Sequence, residues 1–260
     1  MRYCRFSRAG EKSYGLLKND RVEALSAAPW AGGQPTGNTF PVNEIRLSAP
    51  VAPGKIIGLA RTYREHAAEL GNPVPREPLM FLKPPSAVIG PEDAIVLPQG
   101  LGRVDYEGEL ALVIGRRCSH LHNDENPLDY VFGFTCVNDV TARDLQKAEG
   151  HFTRAKGFDT FCSLGPVVVT GLESKQLVVE SYVNGERRQR GAVGEMIFSL
   201  DAIIRFIAAV MTLEPGDVIS TGTPPGVGPM QPGDTVEVVI EGIGRLRNPV
   251  RAATANRGEA

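Results

Sequence analysis

Two glutamates one residue apart, in DYEGELALVIG (Asp105 to Gly115), are the first side chains in this sequence placed to do chemistry. The segment alternates with the period of a β-strand: Tyr106, Gly108, Leu110, Leu112 and Ile114 point one way, Glu107, Glu109, Ala111 and Val113 the other. A face that is acidic at one end and apolar at the other places both carboxylates at the mouth of an interior. They stand about 7 Å apart along the strand and repel each other, a penalty that a divalent cation removes. Oxygen-only ligands select Mg²⁺, Mn²⁺ or Ca²⁺ over zinc. The same spacing also suits an ordinary solvated sheet face.

A third carboxylate, Asp139, falls at a strand-to-helix junction in VNDVTARDLQ, where it suits either a ligand or a helix N-cap. Arg143, Asp144 and Gln146 follow on the first turns of the helix expected over Thr141 to Glu149. Beside a metal, Arg143 and Gln146 would grip a carboxylate and a keto oxygen; otherwise they are surface charge. His66 and Glu69 share one face of a short helix, Tyr63 to Leu70, a spacing that lets the carboxylate fix the imidazole tautomer a general base requires. Such pairs are also common on plain helix surfaces. Of the other three histidines, His151 has Glu149 nearby, and His120 and His122 sit in a polar loop. Lys156, between Arg154 and Gly157 amid aromatic residues, suits an oxyanion partner or a surface position. Thr223, in the Gly/Pro-rich loop Thr221 to Gly228, can offer a hydroxyl and backbone amides to a ligand carboxylate.

The elements that must hold these residues are mostly strands. Glycine and proline supply 29 and 20 of the 260 residues, well above the roughly 12% usual for the two together, while dense Val/Ile/Leu segments exclude disorder. Strands are expected at Met1 to Ser7, Tyr14 to Leu17, Arg21 to Leu25, Lys55 to Ala60, Tyr106 to Gly115, Val131 to Asn138, Pro166 to Thr170, Leu177 to Asn184, Asp217 to Ser220 and Thr235 to Ile240. Asn184-Gly185 marks a hairpin. Ala31 to Asn38 reads as a loop, and apolar residues from Met196 to Met211 recur at helical spacing. The punctuation before Lys55 divides a small N-terminal β-domain with its linker (1–54) from the main domain (55–251), followed by a small, polar tail (252–260). The fold class is α+β, mostly β, a barrel or sandwich with few helices.

A net charge of −2 gives no electrostatic case for nucleic acid, and no apolar run is long enough to span a bilayer. No apolar secretory leader opens the sequence, and Cys4, Cys118, Cys136 and Cys162 form no C-x-x-C pair, so a reducing cytoplasm is the expected compartment. No P-loop or G-x-G-x-x-G motif supports nucleotide binding.

The order of these segments carries more than any one of them. K-I-I-G-L-A-R-T-Y-x-x-H-x-x-E, F-L-K-P, D-Y-E-x-E-L-A-x-V-I-G, N-D-V-T-A-R-D-x-Q, R-A-K-G-F-D-T-F, L-x-P-G-D-V-I-x-T-G-T-P-x-G-V-G and G-x-G-x-L-x-N-P-V, from Lys55 to Arg251, together resemble the fumarylacetoacetate hydrolase superfamily. The N-terminal piece resembles the small β-domain of its short bacterial members. The resemblance implies a mixed β-sandwich roll, a Mg²⁺ or Mn²⁺ cofactor, a homodimer and 2-oxo acid substrates. It makes Glu107, Glu109 and Asp139 the metal ligands, and His66 with Glu69 the water-activating dyad, on a segment that orders when ligand binds. It makes Lys156 the oxyanion partner and Arg143, Gln146 and Thr223 the substrate contacts. The sequence departs from the family at Ala60-Arg61-Thr62-Tyr63, where members often read G-x-N-Y.

The implied activity is metal-dependent hydrolysis of a C–C bond in acylpyruvates such as fumarylpyruvate, in aromatic catabolism. The alternatives are an oxaloacetate decarboxylase or a 2-hydroxyhepta-2,4-diene-1,7-dioate isomerase on the same site. From another class, a structural cation in a non-catalytic dimer would account for the carboxylates, but would require neither His66 nor Lys156.

Overall fold

The computed structural model describes residues 1–254. Its largest sheet has twelve strands. Along the main path they run Pro35–Pro41, Arg21–Leu25, Glu11–Lys18, Arg2–Arg8, Cys162–Val169, Val131–Asp139, Gly108–Ile114, Val218–Ser220, Ile56–Ala60 and Leu79–Lys83, with Arg46–Ser48 and Val88–Ile89 paired alongside. A five-stranded sheet (Glu186–Ala192, Val178–Val183, Thr235–Ile240, Gly244–Ala252, Ile95–Leu97) and a three-stranded one (Thr141–Ala142, Val104–Tyr106, Gly228–Pro229) complete the mostly-β fold. Four α-helices accompany the sheets: α1 (Arg64–Glu69), α2 (Arg143–Glu149), α3 (Thr153–Lys156) and α4 (Leu200–Val210). No helix among the described residues is long and apolar enough to cross a membrane.

The strand Gly108–Ile114 lies at the centre, buried on both faces, and its alternation divides two cores. Leu110, Leu112 and Ile114 pack with Val179, Val238 and Ile240 of the five-stranded sheet and with Ile203, Ile204 and Ile207 of α4. Ala111 and Val113 face Ile56, Val137, Leu164 and Val218. Burial on both sides removes a wholly solvated acidic face from consideration. The N-terminal strands extend this same large sheet, joined through Arg2↔Val169 and Tyr3↔Val168.

Several local expectations change. Tyr106 to Gly115 is not one strand: Val104–Tyr106 pairs in the small sheet and Gly108–Ile114 in the large one, so the chain changes sheets at Glu107. Ala31 to Asn38 is only partly loop, because from Pro35 the chain pairs with Arg21–Leu25, bringing Phe40 against Phe6. The helix around Ile203 begins at Leu200, where the Ser199 hydroxyl accepts the Ala202 N–H. Met196 and Ile197 precede it, the Ile197 amide donating to Thr62 O. The Asn184-Gly185 hairpin forms with both residues at positive φ, 52° and 82°, as a two-residue turn of that handedness requires. Of the polar tail, Ala252 still belongs to a strand and Ala253 donates to Leu97 O; residues 255–260 lie outside the described residues. The four cysteines are buried and unpaired.

Candidate active site

Three strand ends converge on one floor. Glu107 occupies the crossover between sheets, Glu109 the second position of the central strand and Asp139 the last position of its antiparallel neighbour. The Asp139 amide donates to Glu107 O at 2.8 Å, which fixes the two segments side by side. One carboxylate oxygen from each of Glu107, Glu109 and Asp139 lies within 4.8 Å of the others, at exposures of only 4%, 1% and 0%. Asp139 is not a helix cap, since α2 begins four residues later behind Ala142.

Three buried cations answer these acids. Lys156, at the end of α3, donates to Glu107 Oε2 at 2.8 Å and Thr141 Oγ1 at 2.9 Å and bonds Asp139, while standing 4.9 Å from the centre of the Phe81 ring. Lys83 donates to Asp139 Oδ1 and to the Lys156 carbonyl, both at 2.6 Å. Arg143, the first residue of α2, donates through Nε to Asp105 Oδ2 at 2.9 Å and through Nη1 to Gln146 Oε1 at 2.5 Å, and bonds Glu107 through Nη2.

The cluster therefore holds four buried carboxylates (Asp105, Glu107, Glu109, Asp139) against three buried cations (Lys83, Arg143, Lys156). Glu109 is the one without a cation bonded to it among the described residues; Oε2 accepts from the Ser220 hydroxyl and, at 2.8 Å, from the Gly222 amide. Burial, then the neighbouring Asp139 and Glu107, push its carboxyl well above the ordinary carboxylate range. Glu107 goes the other way: burial alone would raise it, but Lys156 and Arg143 outweigh burial and hold it well below that range. Burial likewise opposes the charge on Lys156, and Asp139 and Glu107 override it, so the ammonium stays charged. An uncompensated carboxylate among three converging all-oxygen donors fits a hard divalent cation, and these residues form a candidate metal site.

Above the floor is a cavity of about 270 Å³. Seven of the nine residues singled out in the sequence line it; the exceptions, Asp139 and Glu69, stand directly behind Lys156 and His66. His66 projects from α1 and is 5% exposed, with Nδ1 3.3 Å from Glu69 Oε2. Donation from Nδ1 leaves Nε2 as the basic nitrogen. Burial lowers the imidazole pKa from its ordinary 6.5, despite the opposing pull of Glu107 and Glu69. The Gly226 amide donates to both Glu69 oxygens, at 3.1 and 3.2 Å, so the Gly/Pro-rich loop orients the orienting carboxylate.

Thr223 reaches the cavity, but its hydroxyl is committed to the scaffold. It donates to Gly108 O at 2.9 Å and accepts from Gln189 Nε2 at 2.7 Å, leaving its backbone as the free contact.

Sequence reasoning passed over four supporting residues. Lys83 lies within the F-L-K-P motif and Asp105 within D-Y-E, so both were legible as neighbours of marked positions. Ser220, at a strand end, and Gln189, whose side chain accepts from the Gly108 amide and donates to Pro224 O, carry no local signal.

A family model described as fumarylacetoacetate (FAA) hydrolase C-terminal matches residues 55–251. The chain belongs to this family. A second model, Rv2993c-like N-terminal, matches residues 1–50. Oxaloacetate tautomerase YisK of Bacillus subtilis is 42% identical over 226 residues, 81% of this chain and 75% of the relative. Among solved structures, 2-hydroxyhepta-2,4-diene-1,7-dioate isomerase from Mycobacterium marinum matches at TM-score 0.89 and 39% identity, covering 97% of this chain and 98% of that one. Maleylpyruvate hydrolase from Sphingobium sp. SYK-6, in complex with manganese(II) and pyruvate, matches at TM-score 0.80 and 30% identity, covering 98% and 100%. The named relatives are enzymes, and their reactions span hydrolysis, isomerisation and tautomerisation on this fold.

Proposed function

We propose that this chain is a divalent-metal-dependent hydrolase of 2-oxo acids of the acylpyruvate type, cleaving the C–C bond between the pyruvyl and acyl parts. The observation that carries this reading is the buried His66, backed by Glu69 and facing the same cavity as the acidic floor. Glu107, Glu109 and Asp139 would hold Mg²⁺ or Mn²⁺, which when bound supplies Lewis acidity for the carboxylate and keto oxygens of a 2-oxo acid.

The remaining work falls to side chains. Arg143 and Gln146 orient the substrate's 2-oxo acid end, with the Arg143 guanidinium fixed by Asp105. His66 takes a proton from water at Nε2, and the water oxygen bonds to the distal carbonyl carbon. Lys156 stabilises the oxyanion formed there. The C–C bond then breaks as the oxyanion closes to the carboxyl of a second acid, and its electron pair passes into the enolate of pyruvate, which takes the proton held on His66 to give pyruvate.

A second reading, a proton shift on the same floor, is supported by the oxaloacetate tautomerase and isomerase relatives; like decarboxylation, it requires no attacking water. Purified protein with Mg²⁺ or Mn²⁺, with and without excess chelator, should be assayed on acetylpyruvate, fumarylpyruvate, oxaloacetate and the hydroxyheptadienedioate. Chelator-sensitive release of pyruvate with a second acid is the expected result. Pyruvate and CO₂ from oxaloacetate alone, or double-bond migration alone, would replace the hydrolase reading with the second one.

A further inference from the structure

The N-terminal strands carry a second cavity, of about 370 Å³, which shares no lining residue with the one above the acidic floor. Its base is one face of three neighbouring strands, Arg46–Ser48, Arg2–Arg8 and Glu11–Lys18. Alternation along Arg2–Arg8 turns Cys4 and Phe6 into the core and Arg5 and Ser7 away from it. Register then fixes the neighbours on that outer face. Lys12 and Arg46 flank Ser7 from either side, and Tyr14 and Ser48 flank Arg5 in the same way. Three cations therefore surround two serine hydroxyls, at spacings of about 5 Å between strands and about 7 Å along them.

Like charges crowded on one sheet face repel, and the protein answers only part of that repulsion. Arg46 is bonded to Asp93, a largely solvent-exposed pair. Arg5 lies over the Tyr14 ring, 5.9 Å from its centre. Neither Arg5 nor Lys12 has a carboxylate partner among the described residues, and the Ser7 and Ser48 hydroxyls have no hydrogen-bond partner among them. Asp93 is the single carboxylate lining the cavity, so a surplus of two positive charges faces it. The opposite wall is apolar. It is made by Val51 and Pro53, ahead of the strand Ile56–Ala60, and by Pro85, Val88 and Ile89, beyond Leu79–Lys83.

We propose that this cavity binds an organic phosphate monoester, its phosphate held by Arg5, Lys12 and the two serine hydroxyls and its carbon part laid on the apolar wall. A phosphomonoester brings close to two negative charges and three acceptor oxygens. That matches the surplus charge and gives the guanidinium, ammonium and hydroxyl donors separate oxygens. A carboxylate brings one charge and two oxygens. Inorganic phosphate meets the cations but leaves the apolar wall bare and most of the 370 Å³ unfilled. The bound ester bridges the N-terminal strands and the segment that follows Lys83.

The test is calorimetric titration of the full-length, Mg²⁺-loaded protein with phenyl phosphate, inorganic phosphate and benzoate. Phenyl phosphate should bind once per chain, about tenfold more tightly than either comparator at low ionic strength, and added salt should weaken it. R5Q and K12Q should each weaken it about fivefold, and the double variant should bring it to the level of benzoate with metal content unchanged. Lys12 is exposed, so K12Q reads the site even where R5Q disturbs the fold. Inorganic phosphate binding as tightly as phenyl phosphate would overturn the ester, and benzoate binding as tightly would overturn the phosphate. Unchanged affinity in K12Q and in the double variant would seat the ligand elsewhere, the cavity above the floor included, and overturn the site. No binding of phenyl phosphate by wild type would overturn the proposal outright.

Discussion

The floor of the cavity and the helix above it are built on different principles. Glu107, Glu109 and Asp139 stand at strand ends, and Asp105, Arg143, Lys156 and Lys83 interlock around them, so each of these charged groups but Glu109 is bonded to an oppositely charged partner. The dyad sits on α1, six residues long, with no side-chain cap at its N-terminus and one 3.3 Å contact between imidazole and carboxylate. A six-residue helix is too short to be stable by itself and depends on what it packs against. On the proposed reading, binding and polarisation of substrate fall to the sheet ends, whereas activation of water falls to a small element that one loop steadies through the Gly226 amide.

The largest effect is expected where the floor itself is broken. Glu109→Gln should cut metal-dependent turnover by about 10³-fold or more and abolish stoichiometric metal binding, measured by elemental analysis after gel filtration. Metal-free stability should respond in the opposite sense. The native Glu109 carboxyl keeps its proton to higher pH than its unfolded counterpart, whose value is near 4.5. The native state therefore binds more protons above that pH, and Glu109 contributes a loss of metal-free stability as pH rises through the window above 4.5. The glutamine variant lacks this contribution, so near neutral pH its metal-free Tm should match or exceed that of wild type. A variant that still binds metal, or whose metal-free form melts well below wild type, contradicts this account of the floor.

The helix should fail differently. His66→Ala is expected to lower hydrolysis by about 10²-fold or more while metal stoichiometry stays at the wild-type level. Loss of metal together with activity would show that the helix and the floor are not separable. Hydrolysis surviving at the wild-type rate would remove His66 as the base.

The same contrast governs what could be read in advance. Periodicity in Gly108–Ile114 gave the two faces of the central strand, and both cores follow it. The positions marked for chemistry do gather in one cavity with their immediate supports: local patterns (E-x-E on a strand, a junction aspartate, an i, i+3 pair) flagged five of them, and the family resemblance joined these to Arg143, Gln146, Lys156 and Thr223. What stayed hidden is non-local. The sheet change at Glu107 depends on pairing with Thr141 and Gly228, far along the chain. The commitment of the Thr223 hydroxyl depends on Gln189, a polar side chain on a hairpin strand that alternation alone assigns to solvent or core without naming a partner. The pairing of Lys156 with two floor carboxylates likewise emerges only when α3 is packed across the strand ends.

The smallest effect tests the link between the two regions. Glu69→Gln keeps the shape of the dyad but removes one of the two charges, Glu107 and Glu69, that raise the His66 pKa against burial. A base must be neutral to accept a proton, so wild-type kcat/KM should rise with pH through a value below 6.5 and level off above it. In Glu69→Gln the limb should move further down, because burial then acts with one fewer opposing charge. The plateau should fall about tenfold, since the amide holds the imidazole less firmly and the loop amide of Gly226 loses a charged acceptor. KM for the 2-oxo acid should change little, because Glu69 touches neither the floor nor the cavity. A limb that moves upward would mean that burial is not what sets the His66 pKa. A rise in KM with kcat unchanged would place Glu69 with the substrate contacts and join the helix to the floor.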